Sequence, residues 1–370
     1  MMRIFLKKYY LLAFSIFLML NSYKIYSQNI SLLTDYLGNV EVFDNGKFKQ
    51  IEYKPLRSYQ VGNNAIAYED NAGNFKIYYN DFVRNVGVFV DDYACSNGLI
   101  AFSYRKVFKV FDDGDIKLLS LSALNYYVGT NIIVWYDNAE SKVKAYYQKK
   151  IYDLDDALMN DTITPIYGAN NIAAYFDSRD YLNIFYNEDI YPVELSERVS
   201  DIKAGKNLIA FIDENNSSFQ TFYYGELTEV ENFKPISYKT GDNFIAYIDA
   251  NGYFKVFRDF NVATLDINTP SFFEIKNNIM VFGVQNYFKA YIGDKLFTLE
   301  TILPEQYIVN NNVCAYIDQR GALKYFNGEK TETVSYEKIK KFELTGNILK
   351  FSYGINSESL YWNGKIYNND

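Results

Sequence analysis

Asn64-Ala-Ile-Ala-Tyr-Glu-Asp70 is followed by Gly73-Asn-Phe-Lys-Ile-Tyr-Tyr79, and the same order of residue kinds returns at Asn243-Phe-Ile-Ala-Tyr-Ile-Asp249 and Gly252-Tyr-Phe-Lys-Val-Phe257. Further copies are marked by Asn97, Asn131, Asn171, Asn207, Asn278, Asn312 and Asn347, and a degenerate copy spans Ser31–Phe43. The nine asparagines are spaced 33, 34, 40, 36, 36, 35, 34 and 35 residues, a period near 35. A supersecondary unit repeated at such a period cannot bury its apolar face alone and must stack on its neighbours. The repeat therefore settles the architecture before any single residue is considered.

Within one unit the turn chemistry predicts four short strands. In residues 58–90 these are Ser58–Val61, Ala65–Glu69, Asn74–Tyr79 and Phe82–Val86, separated by Gly62-Asn63-Asn64, Asp70-Asn71-Ala72-Gly73 and Asn80-Asp81. Asn, Asp and Gly tolerate the positive φ of tight turns. Short strands at even spacing imply an all-β fold, and four strands per unit imply a β-propeller-like array of about ten repeats over residues 28–370. An open β-solenoid is the alternative. The first unit lacks its leading strand and the last ends soon after Lys365-Ile366-Tyr367, which favours a ring closed by pairing the two ends and removes exposed edges.

An Asp-x-x-Gly turn recurs at Asp35, Asp70, Asp249 and Asp318, and an Asp also ends the strand at Asp137, Asp177 and Asp213. These could form a ring of calcium loops, but one carboxylate per turn is too few for a cation that takes six to eight oxygens. Hairpin chemistry is the favoured reading: Asp caps its own turn and Gly takes the left-handed position.

The composition excludes several chemistries. There is no His, which removes Ser-His-Asp and Cys-His catalysis and the usual zinc and iron sites. Cys95 and Cys314 fall at different repeat positions and read as small apolar residues rather than a disulfide. Residues 1–27 read as a signal peptide. Arg3, Lys7 and Lys8 precede the apolar run Leu11–Leu20, which is too short to span a bilayer, and cleavage is expected near Ser27. Its removal takes away four cations and no acid, so the net charge moves from −8 to −12. Such a chain is a poor partner for nucleic acid or anionic membranes, and no membrane insertion is expected after cleavage.

Of the residues, 18% are aromatic, including 37 Tyr. Tyr68, Phe102, Tyr175, Phe211, Tyr247, Phe282 and Tyr316 recur mid-strand beside Ile and Ala, which is core placement rather than a sugar-binding pattern. Arg57, Arg84, Arg105, Arg179, Arg198, Arg258 and Arg320 are scattered, and no cluster of acids and bases stands apart from the repeat, so neither an enzyme nor a cofactor is expected. The long departure Lys149–Asn170, inside the 40-residue unit, reads as a solvated loop. Its Asp153, Asp155, Asp156, Leu158, Met159 and Asp161 are the candidate partner-binding residues, since loops on a rigid ring commonly carry function.

Over residues 31–367 the repeat resembles exported bacterial β-propeller families, although no Trp-Asp dipeptide, kelch glycine pair or Asp-box is present. The leader ending Tyr26-Ser27-Gln28 and the Asn/Lys/Tyr-rich composition look like those of envelope proteins from bacteria that use the type 9 secretion system. The chain stops within its last repeat, at Trp362-Asn363-Gly364-Lys365, without the sorting domain that cargo of that system carries. The resemblance thus implies a periplasmic, non-enzymatic subunit of an outer-membrane or secretion assembly. It is similar in this to the plug subunit of the type 9 translocon, whose partner is an outer-membrane pore complex. A carbohydrate- or peptide-binding exported propeller is the alternative.

Overall fold

The strand Phe244–Ile248 shows how the repeats stack. All five of its side chains are buried. Alternation sends Phe244, Ala246 and Ile248 into one apolar cluster with Met280 and Phe282, and Ile245 and Tyr247 into another with Leu208 and Phe219. A strand buried on both faces reads as a continuous apolar run, which is why Phe-Ile-Ala-Tyr-Ile carries no polar residue.

The computed structural model describes residues 30–156, 165–177, 179–193, 199–354 and 358–368, and every regular element among them is a strand. The strands form ten separate antiparallel sheets, one three-stranded and nine four-stranded, each ordered along the chain. They are blades 1 to 10, covering residues 30–52, 58–88, 92–120, 123–156, 166–192, 199–231, 237–266, 272–300, 306–335 and 341–368. From the axis outward the four strands of a blade are a to d; blade 1 holds b, c and d. The expected strands of residues 58–90 appear as Ser58–Val61, Ala65–Glu69, Asn74–Tyr79 and Phe82–Val88.

Ten hydrophobic clusters lie between blades, one at each joint. The tenth joins blade 10 to blade 1 through Leu33, Phe43, Ile348 and Leu360, with Phe43 edge-on to Trp362 and Tyr367. The ring is therefore closed, and the solenoid alternative is set aside. Closure differs from the expected pairing of the two ends. Among the described residues no ladder joins blades 1 and 10. Instead Lys350 Nζ donates to Leu32 O at 3.2 Å, and Thr34 N donates to Glu358 Oε2 at 3.1 Å. The first copy is also more than a hairpin, because Lys47–Glu52 completes a third strand.

Close approach around the axis depends on small residues. A Cβ on Gly62 would stand 2.4 Å from Ser96 O, and one on Gly205 would stand 2.3 Å from Gly241 O. The edges of the a strands are stitched by side chains of the preceding blade. Gln60 donates to Tyr93 O at 3.0 Å and accepts from Cys95 N at 2.8 Å. Lys203 and Lys239 reach Tyr238 O and Phe273 O at 3.0 and 2.7 Å. Backbone groups that face the axis thereby find partners without strand pairing.

Two expectations need correction. Lys149–Asn170 is not one loop: Lys150–Asp156 is the d strand of blade 4 and Ile166–Ala169 the a strand of blade 5. Asn97 stands one position early, since Gly62 N and Ser96 N make equivalent turn bonds to Ala65 O and Leu99 O, which aligns Gly98 with Asn64. The signal-peptide reading of residues 1–27 lies outside the described residues.

Two substitutions test this packing. Tyr247 is fully buried, so Tyr247→Ala is expected to cost about 3–5 kcal/mol in denaturant unfolding; a wild-type midpoint would remove it from the core. Gly205→Ala is expected to cost about 1–3 kcal/mol through backbone overpacking. Gly87→Ala, with nothing within 4 Å of its Cβ, is the matched control, and equal stabilities for the pair would refute the close-approach argument.

Candidate functional site

Each b–c turn faces one side of the ring. Asp70 Oδ1 accepts from Ala72 N and Asn74 N, both at 2.9 Å, while Gly73 takes φ 85°. Asp35, Asp249 and Asp318 do the same. This is the hairpin reading of the Asp turns. Lys76, two residues past Asn74, adds a joint that the sequence reading missed: its Nζ lies 2.9 Å from Asp70 and 2.6 Å from Glu52 of blade 1, and Tyr68 Oη donates to the same Glu52 at 3.1 Å. Blade 7 repeats the set with Lys255, Asp249, Glu231 and Tyr247, and blade 9 with Lys324, Asp318, Glu300 and Tyr316. A bulge in the c–d ladder leaves one residue of the d strand out of register and sets Glu52 opposite Val40. The signal was present in the sequence, since the Tyr–Glu separation is 16 and the Lys–Glu separation 24 in all three copies.

The electrostatics follow from these contacts. Burial alone would raise the Asp70 carboxyl, but hydrogen bonds from Asn74 and Lys76 outweigh it and hold the group well below the usual carboxylate range. Asp249 and Asp318 are lowered in the same way, with burial opposed by Lys255 or Lys324 and by backbone amides. The turn carboxylates are thus already occupied by N–H groups and ammonium ions.

The same side carries an apolar crown. Among the described residues, seven of the connections from a d strand to the next a strand expose a large apolar side chain, namely Tyr53, Phe89, Leu121, Ile236, Ile267, Ile302 and Tyr336, with Tyr53 and Tyr336 80% and 85% exposed. Leu37 and Tyr253 on the b–c turns add to it.

The opposite side carries the a–b turns, where the landmark asparagines meet around the axis. Asn171 Nδ2 donates to Asn207 Oδ1 at 2.7 Å and Asn207 Nδ2 to Asn243 Oδ1 at 2.8 Å, and Asn131 donates to Asn171. Asn97 reaches Thr130 Oγ1 at 2.7 Å. Here the channel opens into a cavity of about 510 Å³, lined by the a-strand ends of blades 2 to 9. Its walls include Asn97, Tyr127, Thr130, Asn170, Lys206 and Asp242. Burial pushes the Asp242 carboxyl up, against the pull of Lys206 and a hydrogen bond with Asn277.

Three of the six candidate partner residues share one strand. Asp153 pairs with Lys142 at 2.6 Å and lies 3.7 Å from Lys144, and it is lowered mainly by Lys142. Asp153, Asp155 and Asp156 all belong to the d strand of blade 4, opposite Lys144, Val143 and Lys142. Leu158, Met159 and Asp161 lie outside the described residues. Both cysteines are free. Cys314 is buried, and Cys95 packs half-buried beside the channel, where burial pushes its thiol up to about 12.

A family model described as a 10-bladed beta propeller domain matches residues 24–367. No curated protein matches the sequence. Among solved structures, the computationally designed Ika8 protein is 14% identical, with 72% of this chain and 94% of that one covered and a TM-score of 0.36. Prp20p from Saccharomyces cerevisiae is 8% identical over 55% of this chain and 72% of its own, with a TM-score of 0.33. PorZ, a surface component of the type IX secretion system of Porphyromonas gingivalis, is 10% identical over 90% of this chain and 57% of its own, with a TM-score of 0.28. Likenesses at this level carry no argument.

The lowered carboxylates fix a direction for acid stability. A folded-state value below the unfolded one adds stability above about pH 4, and it is lost as pH falls through the folded value. Lys255→Met is expected to cost about 1.5–3 kcal/mol at pH 7, the range for hydrogen bonds to charged groups. The gap to wild type should shrink as pH approaches 2. Urea unfolding across this range checks it, and a gap constant with pH would show that the ionic joint contributes nothing.

Proposed function

The chain belongs to the 10-bladed β-propeller domain family, and from that premise we propose that it is a non-enzymatic protein-binding subunit of an outer-membrane or secretion assembly. The apolar crown carries the proposal. Large apolar side chains exposed at seven of the blade connections cost solubility unless a partner covers them. Lys54, Arg57, Lys234, Glu305 and Glu337 interleave with them in the same connections, which gives the mixed apolar and polar surface of a separable interface.

The compartment follows from the leader-like residues 1–27, which support export and a periplasmic location. The composition that resembles type 9 envelope proteins makes the periplasmic mouth of that secretion pore the working choice of partner, with the ring as its plug.

The test is a tagged pull-down from detergent-solubilised envelope, read by mass spectrometry. A stoichiometric outer-membrane pore protein is expected. The triple variant Tyr53→Ser, Ile302→Ser, Tyr336→Ser changes only exposed positions, so stability should shift little while partner recovery falls at least tenfold. Recovery equal to wild type would remove the crown from the interface.

A further inference from the structure

We propose that the channel mouth on the asparagine side is a binding site for a neutral saccharide. The inference is independent of the partner assigned to the opposite side.

Size comes first. About 510 Å³ falls within the 300–1,000 Å³ typical of small-ligand sites. The lining is unlike a drug-type pocket, since amides, hydroxyls and backbone groups dominate it. Asn170 Oδ1 accepts from both Thr130 N, at 2.8 Å, and Thr130 Oγ1, at 2.5 Å. That fixes the amide and leaves its nitrogen as a donor among the lining groups. Such a wall, rich in both donors and acceptors, matches a ligand whose hydroxyls both give and accept.

The wall also holds one large ring. Tyr127 lines the cavity from blade 4 and is seated on the bare backbone of Gly168 in blade 5. A Cβ on Gly168 would stand 2.1 Å from Tyr127 Cδ1. The missing side chain thus creates the ring's seat. An aromatic face is electron-rich and attracts the polarised C–H groups on one side of a pyranose.

Two other ligand classes fit worse. An acidic ligand needs an excess of cations, yet Asp242 faces Lys206 and only Lys276 remains unmatched in the lining. A peptide bound by strand addition needs a free strand edge. Four of the nine a-strand edges are already taken by Gln60, Lys203, Lys239 and Asn310, which interrupts any continuous edge around the axis.

The experiment uses the mature chain with cellobiose, maltose and N,N′-diacetylchitobiose, alongside digalacturonate and tetra-alanine, by saturation-transfer NMR and calorimetry. At least one neutral disaccharide is expected to bind at millimolar concentration or below. Tyr127→Ala should weaken it at least tenfold, and Gly168→Ala should do so by unseating the ring. Leu227→Ser, at an exposed d-strand position outside the lining, should change it less than twofold. If Tyr127→Ala does not fold, Tyr127→Leu replaces it, keeping bulk without the aromatic face. The proposal is overturned if no neutral sugar binds, if only digalacturonate or tetra-alanine binds, if affinity survives loss of the ring, or if Leu227→Ser costs tenfold.

Discussion

Burial of each b strand from both sides is the constraint on which the molecule depends. A lone blade presents two apolar faces and can cover neither, so its core exists only as halves supplied by two neighbours. Phe244, Ala246 and Ile248 pack toward blade 8, and Ile245 and Tyr247 toward blade 6. Any open end would leave one such face in water, at a cost that grows with apolar area. Closure through Leu33, Phe43, Ile348 and Leu360 removes the last two faces at once.

Polar chemistry is arranged around that apolar requirement. Tyr68, Tyr247 and Tyr316 bury their rings between blades, and each must place a hydroxyl. The carboxylates of Glu52, Glu231 and Glu300 accept it. A carboxylate in that position would be costly alone, so a lysine of the next blade meets it and is met in turn by the Asp of its own turn. The Asp therefore serves twice, closing a hairpin through backbone amides and anchoring a joint between sheets. Near the axis the same problem is solved with uncharged groups, where asparagines pass hydrogen bonds from blade to blade.

Strand positions were legible because turn chemistry is local: Gly62-Asn63-Asn64 and Asp70…Gly73 bound the strands that the structure places there. The ring was legible because Ile-Ala-Tyr must be covered on both faces in every repeat, and closure covers the first and last repeats as well. Contacts between repeats were marked only by the recurring separations of 16 and 24 residues, which do not by themselves say that the side chains meet. Glu52 meets Lys76 only because a bulge re-aims it, and nothing in Lys47–Glu52 announces a bulge. The channel mouth was hidden for a stronger reason. Tyr127 and Asp242 belong to blades 4 and 7 and share a cavity only through the ring's curvature. The segment Lys149–Asn170 read as a loop because of its acids, yet Asp153 and Asp155 sit opposite Lys144 and Val143 in a strand ladder that bulges between them.

The joint between blades 10 and 1 differs from the others in one respect. Among the described residues its cluster holds four buried apolar side chains, and every other cluster holds at least seven. No peptide link crosses it, whereas each other joint is also spanned by the chain. The ring thus behaves as a linear array of coupled units with a single weak contact joining its ends. Separation at that contact has the lowest barrier, and it frees both flanking units to peel in opposite directions. Resistance to heat or proteases should then be governed by how often this seam parts, more than by the summed stability of the ten blades.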